Sequence, residues 1–273
     1  MSYLVLAGIE LTMLSLLSGI VGTIAVFRQR AFFSVALSHA TFPGGVIAAL
    51  IGANVLLGQA IAGAIFAVLL ALLSRVKNQG QGTATGILLV FGFALGALLT
   101  SLQKGFTVPV DALLIGSVFG VQKTDLIATL LVLLCAIITV LCYGRQLLYD
   151  TFDSPAARAA GYSPLRAEII TTVLVALTTT VALPAVGAIL TTAIVIAPAA
   201  SAILLTRDIR FIAPLAILFG LLGSAAGLFL SVKYGFAAGG TIGLSLAAIF
   251  FCAWLWRLIR NKNTLTRHAN ALS

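Results

Sequence analysis

The stretch 124-TDLIATLLVLLCAIITVLCY-143 carries a single charge, Asp125, and that lies near its start. A bilayer core about 30 Å thick is crossed by a helix of about 20 apolar residues, each rising about 1.5 Å. Length and composition together make this stretch one membrane crossing. Cys135 and Cys142 fall inside it and Cys252 far beyond it. That is neither a disulfide framework nor a zinc-binding spacing, and packing roles are expected for all three.

The remainder of the chain is made of the same material. Of its 273 residues 61% are hydrophobic and 8% charged, with a mean hydropathy of +1.17. Soluble domains carry about 25% charged residues, so this chain has too little polar surface to dissolve. The expectation is an all-α integral membrane protein. It is a polytopic bundle of about eight or nine transmembrane helices forming one domain over residues 1–273. Nine apolar segments can be drawn, at about 3–27, 36–53, 55–74, 83–102, 124–143, 166–185, 187–205, 211–232 and 240–258. The run 106-FTVPVDALLIGSVFG-120 is too short to span and reads as a re-entrant or interfacial segment.

A formal charge of +9 raises nucleic acid as a partner, and the placement of the charges removes it. With the N-terminus outside, the inner loops and tail hold Arg28, Arg30, Arg75, Lys77, Arg145, Arg158, Arg166, Arg207, Arg210, Arg257, Arg260, Lys262 and Arg267. The outer face holds only Lys104, Lys123 and Lys233. Basic residues collect on the cytoplasmic side of membrane proteins, so the charge is topology, and the partner is lipid. On this reading the C-terminus is cytoplasmic and residues 257–273 form a short basic tail. An eight-span arrangement, with one early segment failing to cross, would put the N-terminus inside. The first segment lacks a positive n-region and has Arg28 and Arg30 after it rather than before, the pattern of a retained span and not a cleaved leader.

One inner loop differs from the others. In 145-RQLLYDTFDSPAARAAGYSPLR-166, Asp153-Ser154-Pro155 is a helix start, with Pro155 in the first turn where its missing N–H costs nothing. Residues 156-AARAA-160 favour helix and Gly161 stops it. The product is a two-turn helix between two spans. It is either a linker resting on the membrane surface or a helix that docks into a partner's groove, which small residues suit better.

Four motifs, in order along nearly the whole chain, resemble those of the ABC-importer permeases that bacteria use for zinc, manganese and iron. Ser38-His39-Ala40 followed by Pro43-Gly44 resembles that family's Ser-His-Ala…Pro-Gly element. Phe152-Asp153-Ser154-Pro155-Ala156-Ala157-Arg158-Ala159-Ala160-Gly161 resembles its coupling helix, Phe-Asp-x-x-x-Ala-x-x-x-Gly. The stretch 182-ALPAVGAILTTAIVIAPAASA-202 resembles its Val-Gly…Pro-Ala-Ala element, and Thr85-Gly86-Ile87 its Ala-Ile-Gly-Ile turn.

The resemblance implies a multi-pass subunit of the bacterial cytoplasmic membrane and a permease homodimer. It implies that each copy docks Phe152, Asp153, Ala157, Ala160 and Gly161 into a cytoplasmic ABC ATPase, while an extracellular solute-binding protein delivers the cargo. It implies no bound cofactor beyond a divalent metal in transit, and no enzyme activity on this chain. The absence of any G-x-x-x-x-G-K-[ST] agrees, because nothing here can cradle phosphates.

The chain departs from the family where metal chemistry matters most. The position four residues before His39, an aspartate in metal importers, is Val35, and the acidic pair before the Ala-Ile-Gly turn is Gln81-Gly82. Asp111, ahead of Gly116, does match a family aspartate. His39, Asp111 and Glu10 are the residues expected to meet a metal or other substrate, with helix breaks beside the path at Pro43, Gly44 and Pro198.

Two readings fit His39: it lines the path, as an imidazole at membrane depth suggests, or it hydrogen-bonds a carbonyl freed by Pro43. Glu10 either snorkels to the outer interface or faces the path. Asp125 reads as an interfacial cap, and Glu168 as a local partner of Arg166 or a solvated charge. The threonines of 171–192 either bond between helices or line a polar path. The glycines of 223-GSAAG-227 and Gly239-Gly240 read as close helix packing. A self-sufficient carrier or a non-transporting scaffold is the competing class, but a carrier would show internal repeats and charges at the midplane, and neither stands out.

Overall fold

The computed structural model describes residues 3–73, 81–101 and 118–270, with backbone alone at 71, 81 and 261–270. Every regular element among them is helical. α1 (Tyr3–Phe27) ends at a turn in which Gln29 takes a positive φ of 56°. α2 (Ala31–Ala40) and α3 (Phe42–Leu50) make one crossing, kinked at Thr41. Pro43 falls in the first turn of α3, where no N–H is needed, and the N–H groups of Gly44 and Gly45 both reach the Thr41 carbonyl, at 3.1 and 3.3 Å. The backbone there is bent and still hydrogen-bonded.

α4 (Val55–Leu73) and α5 (Gln81–Ser101) follow. A short 3-10 turn, Val118–Gly120, then leads to α6 (Lys123–Phe152). α7 (Ser154–Ala159) is the two-turn helix foreseen from sequence. α8 (Pro164–Leu205), α9 (Ile209–Tyr234) and α10 (Ala238–Asn270) complete the chain.

α8 has 42 residues, about 63 Å if straight and twice what a bilayer needs. Its one non-helical residue is Gly187, at φ 78° and ψ 167°, a conformation open in practice only to glycine. Glu168, near the start of α8, pairs with Arg28 and Arg30 just past the end of α1. Ile209, just past the end of α8, shares a cavity with Phe27. Both ends of α8 thus lie at one end of α1, and Gly187 is where the chain doubles back. Seven apolar elements are long enough to cross a membrane, and Val55–Leu70 is a shorter one. With α8 counted as two limbs, these are the nine segments drawn from the sequence.

The loop expected over 145–166 is mostly absent. α6 runs on to Phe152, and only residues 160–163 separate α7 from α8. Gln146 and Leu147 are buried, and the Gln146 amide donates to the Ser163 carbonyl at 3.1 Å, so the helix is held after it has left the apolar run. The basic tail is likewise a continuation of α10 through Asn270. Of the segment 106–120, only its last three residues are described; Arg75, Lys77, Lys104 and Asp111 also lie outside the described residues.

The centre of the bundle is α1, α8 and the α2–α3 crossing. The Ala31–Leu50 crossing is mostly buried, whereas α6 and α10 turn most of their surface outward. Hydrocarbon replaces water there, so association relies on close packing and small residues. A Cβ on Gly223 or Gly227 of α9 would strike Leu246 or Ile242 of α10, so this seam is the packing device expected of 223–227. Gly240 has open space around it and packs against nothing.

Candidate transport path and coupling helix

The kink at Thr41 is received by glycines. A Cβ at Gly92 of α5 would press on Ala40, and one at Gly96 would meet the Phe42 ring. Gly44 of α3 and Gly58 of α4 face each other so closely that a Cβ on either would strike the other's carbonyl oxygen. Pro43 and Gly44 therefore serve a close helix crossing as well as a bend. Pro198 is buried, and the helix continues through it; the break in α8 lies at Gly187 instead.

His39 sits on the last turn of α2, half-buried, with its ring edge-on to Phe93 at 5.8 Å. Its Nδ1 is buried and has no hydrogen-bond partner, so that nitrogen does not hold a carbonyl freed by Pro43. Val35, one turn earlier, is half-buried as well. Among the described residues no three of His, Cys, Asp and Glu come together as a metal-binding group.

Glu10 does not snorkel. It is fully buried in α1, where Oε1 accepts a 2.7 Å hydrogen bond from the Thr129 hydroxyl of α6 and Oε2 has no partner. Asp125 caps α6 as expected, accepting from the Gln122 N–H at 2.9 Å. Glu168 pairs with Arg30 and, at 3.8 Å, with Arg28 rather than with Arg166. A residue two positions away on a helix points elsewhere, and the turn after α1 brings the arginines to it. Burial, and then the Arg28 charge beside it, push the Arg30 pKa down from its ordinary value.

The threonines do not bond between helices. Thr171, Thr178, Thr179 and Thr191 donate to carbonyls of α8 itself, at 2.7–3.0 Å. Thr180 makes no such bond, and its hydroxyl lies toward Gly63 of α4. A residue the sequence reading passed over stands nearby. Gln59 of α4 is fully buried, and neither its Nε2 nor its Oε1 has a partner. The one signal was a lone amide within the apolar 55-VLLGQAIAGAIF-66.

At the far end of the bundle, α7 is set by its caps. Asp153 accepts from the Ala156 N–H at 2.9 Å, and after Ala160 the chain turns through Gly161 at φ 82°, with the Tyr162 N–H reaching the Ala157 carbonyl at 2.9 Å. Ala157 is completely buried against the chain's own helices, whereas Ala156, Arg158, Ala159 and Ala160 are exposed. Ala157 and Ala160, grouped from sequence as one docking face, therefore point apart. Phe152 is exposed, with its ring edge-on to Phe27 at 5.3 Å.

The Arg28 guanidinium reaches Asp150 at 2.8 Å and Thr151 at 3.2 Å, tying α1 to α6 just before α7. Arg207, Arg257 and Arg260 line one recess at this same end, while Lys233 lies at the opposite one. Among the described residues, Arg28, Arg30, Arg207, Arg257 and Arg260 thus gather at one end of the bundle and Lys233 lies at the other, and α7 is at the arginine end.

Residues 1–257 match the sequence model of the ABC 3 transport family. The manganese transport system membrane protein MntC of Halalkalibacterium halodurans is 34% identical over 98% of this chain and 91% of its own length. The zinc transport system membrane protein TroC of Treponema pallidum is 32% identical over 81% of this chain and 77% of its own. Among solved structures, PsaBC from Streptococcus pneumoniae in complex with Fab superposes with a TM-score of 0.83 at 28% identity, covering 93% of this chain and 91% of that one. An inward-facing metal-chelate type ABC transporter shares the fold, with a TM-score of 0.73 at 18% identity, covering 90% and 84%. The chain belongs to the ABC 3 transport family, the multi-pass membrane permeases of metal ABC transporters.

Proposed function

We propose that this chain is the membrane subunit of an ABC importer that moves manganese, zinc or a related metal cargo into the cytoplasm. A separate ATPase docks on the exposed face of α7, and an external binding protein supplies the cargo at the opposite end. The permease works as a homodimer. The observation that carries the reading is the match to MntC over nearly the full length of both chains. The geometry of α7 supports it. The exposed face is small, save for Arg158, and suits a groove. Ala157 anchors the helix to the bundle, and Asp153 alone separates it from α6. Displacement of α7 by the ATPase therefore passes directly into α6, and through Gln146 and Ser163 into α8.

On this reading the arginine end is cytoplasmic, as positive charge requires. His39 meets the cargo beside the kink, Asp111 lies on its route, and Glu10 is a buried carboxyl of the outer half of α1. The test is reconstitution of the permease with a candidate ABC ATPase and binding protein from the same genome. Uptake of radiolabelled manganese or zinc that needs ATP inside the equivalent of the cytoplasm is the expected result. Uptake by the permease alone, driven by an ion gradient, would overturn it.

A further inference from the structure

Gln59 is the least explained side chain in the bundle. It is fully buried, and both its amide nitrogen and its amide oxygen lack partners. Such a group costs the fold its desolvation and returns nothing. The surroundings make room for it. A Cβ at Gly45 would come within 3.0 Å of the Gln59 Nε2 and 3.1 Å of its Cγ, so the second glycine of Pro-Gly-Gly leaves the space this amide fills. One turn along α4, Gly63 faces the Thr41 methyl group, at 3.1 Å from where its Cβ would be, and the Thr180 hydroxyl, at 3.6 Å. The Gln59 amide and the Thr180 hydroxyl thus lie along one strip where α3, α4 and α8 meet, beside the kink at Thr41, whose own hydroxyl is spent on the Ser38 carbonyl at 3.3 Å.

We infer that Gln59 is a cargo-contacting, specificity-determining residue of the transport path, and that it holds the metal by hydrogen bonds to the coordination shell the metal keeps. The inference rests on the importer reading above. Its chemistry follows from what the strip lacks. Glu10 is engaged with Thr129 of α6, and the other described carboxylates, Asp125, Asp150, Asp153, Glu168 and Asp208, lie at or beyond helix ends. Val35 stands where a carboxylate would share a face with His39. Neutral amide and hydroxyl groups do not compensate a bare divalent charge taken out of water. An amide, with donors and an acceptor, suits the oxygen and nitrogen atoms already bound to a metal, whether these belong to water or to an organic ligand.

The test uses the permease co-reconstituted with its ATPase and binding protein. Gln59→Leu keeps the volume and removes both orphaned atoms, so the melting temperature should hold or rise, while uptake per folded complex falls about tenfold, the effect of one lost hydrogen bond. Uptake is measured with manganese chloride alone and with manganese citrate. A loss confined to the first assigns the shell to water, and a loss confined to the second assigns it to the organic ligand. In parallel, Gln59→Cys, with the three native cysteines changed to alanine, is treated during turnover with a charged thiol reagent. The lipid-facing Leu57→Cys, 62% exposed, is the control. Position 59 should react and position 57 should not. Wild-type uptake that Gln59→Leu leaves unchanged in both forms, with no reaction at 59, would overturn the inference. Reaction at 59 in a complex that moves neither form of manganese would keep Gln59 on a water path and overturn the manganese reading instead.

Discussion

Two parts of this bundle treat their buried polar residues differently. In α1 and α8, Ser15, Ser18, Thr23, Thr171 and Thr178 each turn a hydroxyl back on a carbonyl of their own helix, at 2.5–2.8 Å. In α2 and α4, Ser38 does the same at 2.8 Å, but the Ser34 hydroxyl, the His39 Nδ1 and the whole Gln59 amide are buried with no partner. The first arrangement satisfies these donors locally and lets the helices pack as apolar cylinders. The second leaves buried groups unpaired, each at a cost of about 1–3 kcal/mol. A fold under selection for stability alone has no use for such groups, and they accumulate where a ligand is met. Glu10, with one oxygen bonded and one not, is the single case in α1 that belongs to the second kind.

The largest effect is expected from breaking the satisfied part at its hinge. Gly187→Val puts a β-branched side chain at φ 78° in a buried position, so the limbs of α8 can no longer fold back on α1. Monodisperse protein in fluorescence-detected size exclusion should fall severalfold or vanish. Next come the two alanines of the coupling helix. Ala157→Glu buries an unpaired carboxylate against the bundle and should also reduce folded protein, by an effect of several kcal/mol. Ala160→Glu, on the exposed face, should leave folding intact and uncouple ATP hydrolysis from uptake. Equal yields for the two variants would refute the orientation of α7. The smallest effects sharpen the comparison itself. Thr178→Ala removes a bonded hydroxyl and should lower stability by about 1 kcal/mol, whereas Ser34→Ala removes an orphaned one and should be neutral or stabilising. Thermal unfolding of the purified permease, read side by side, distinguishes the two signs.

How much of this was legible beforehand depended on whether a property is local. The nine apolar segments are properties of composition, and most of their ends lie close to those observed, though α6 and α10 run on well past theirs. The caps of α7 at Asp153 and Gly161 are equally local. Leaving the membrane was misread as leaving the helix, because Arg145 and Gln146 end the apolar run while Arg28, distant in sequence, grips Asp150 and holds α6 together beyond it. The partner of Glu168 was missed for the same reason. Ala157 and Ala160 could not be told apart, since alanine carries no sign of which way it faces. For Glu10 the sequence leaves the interface and the path both open, because the hydrogen bond that buries it joins residues 119 positions apart. Gln59 was overlooked because a single amide scarcely alters the hydropathy of its helix.

The most direct measurement concerns the imidazole. His39→Leu replaces a ring that has an orphaned nitrogen with an apolar side chain that still fills the space against Phe93. In the reconstituted complex, the melting temperature and the metal uptake per folded complex are measured on the same preparation. If the unpaired polar atoms of α2 and α4 serve cargo, the melting temperature holds or rises and uptake falls by about tenfold or more. A melting temperature several degrees lower, with uptake per folded complex unchanged, would mean that His39 supports the fold and that this account of the path is wrong.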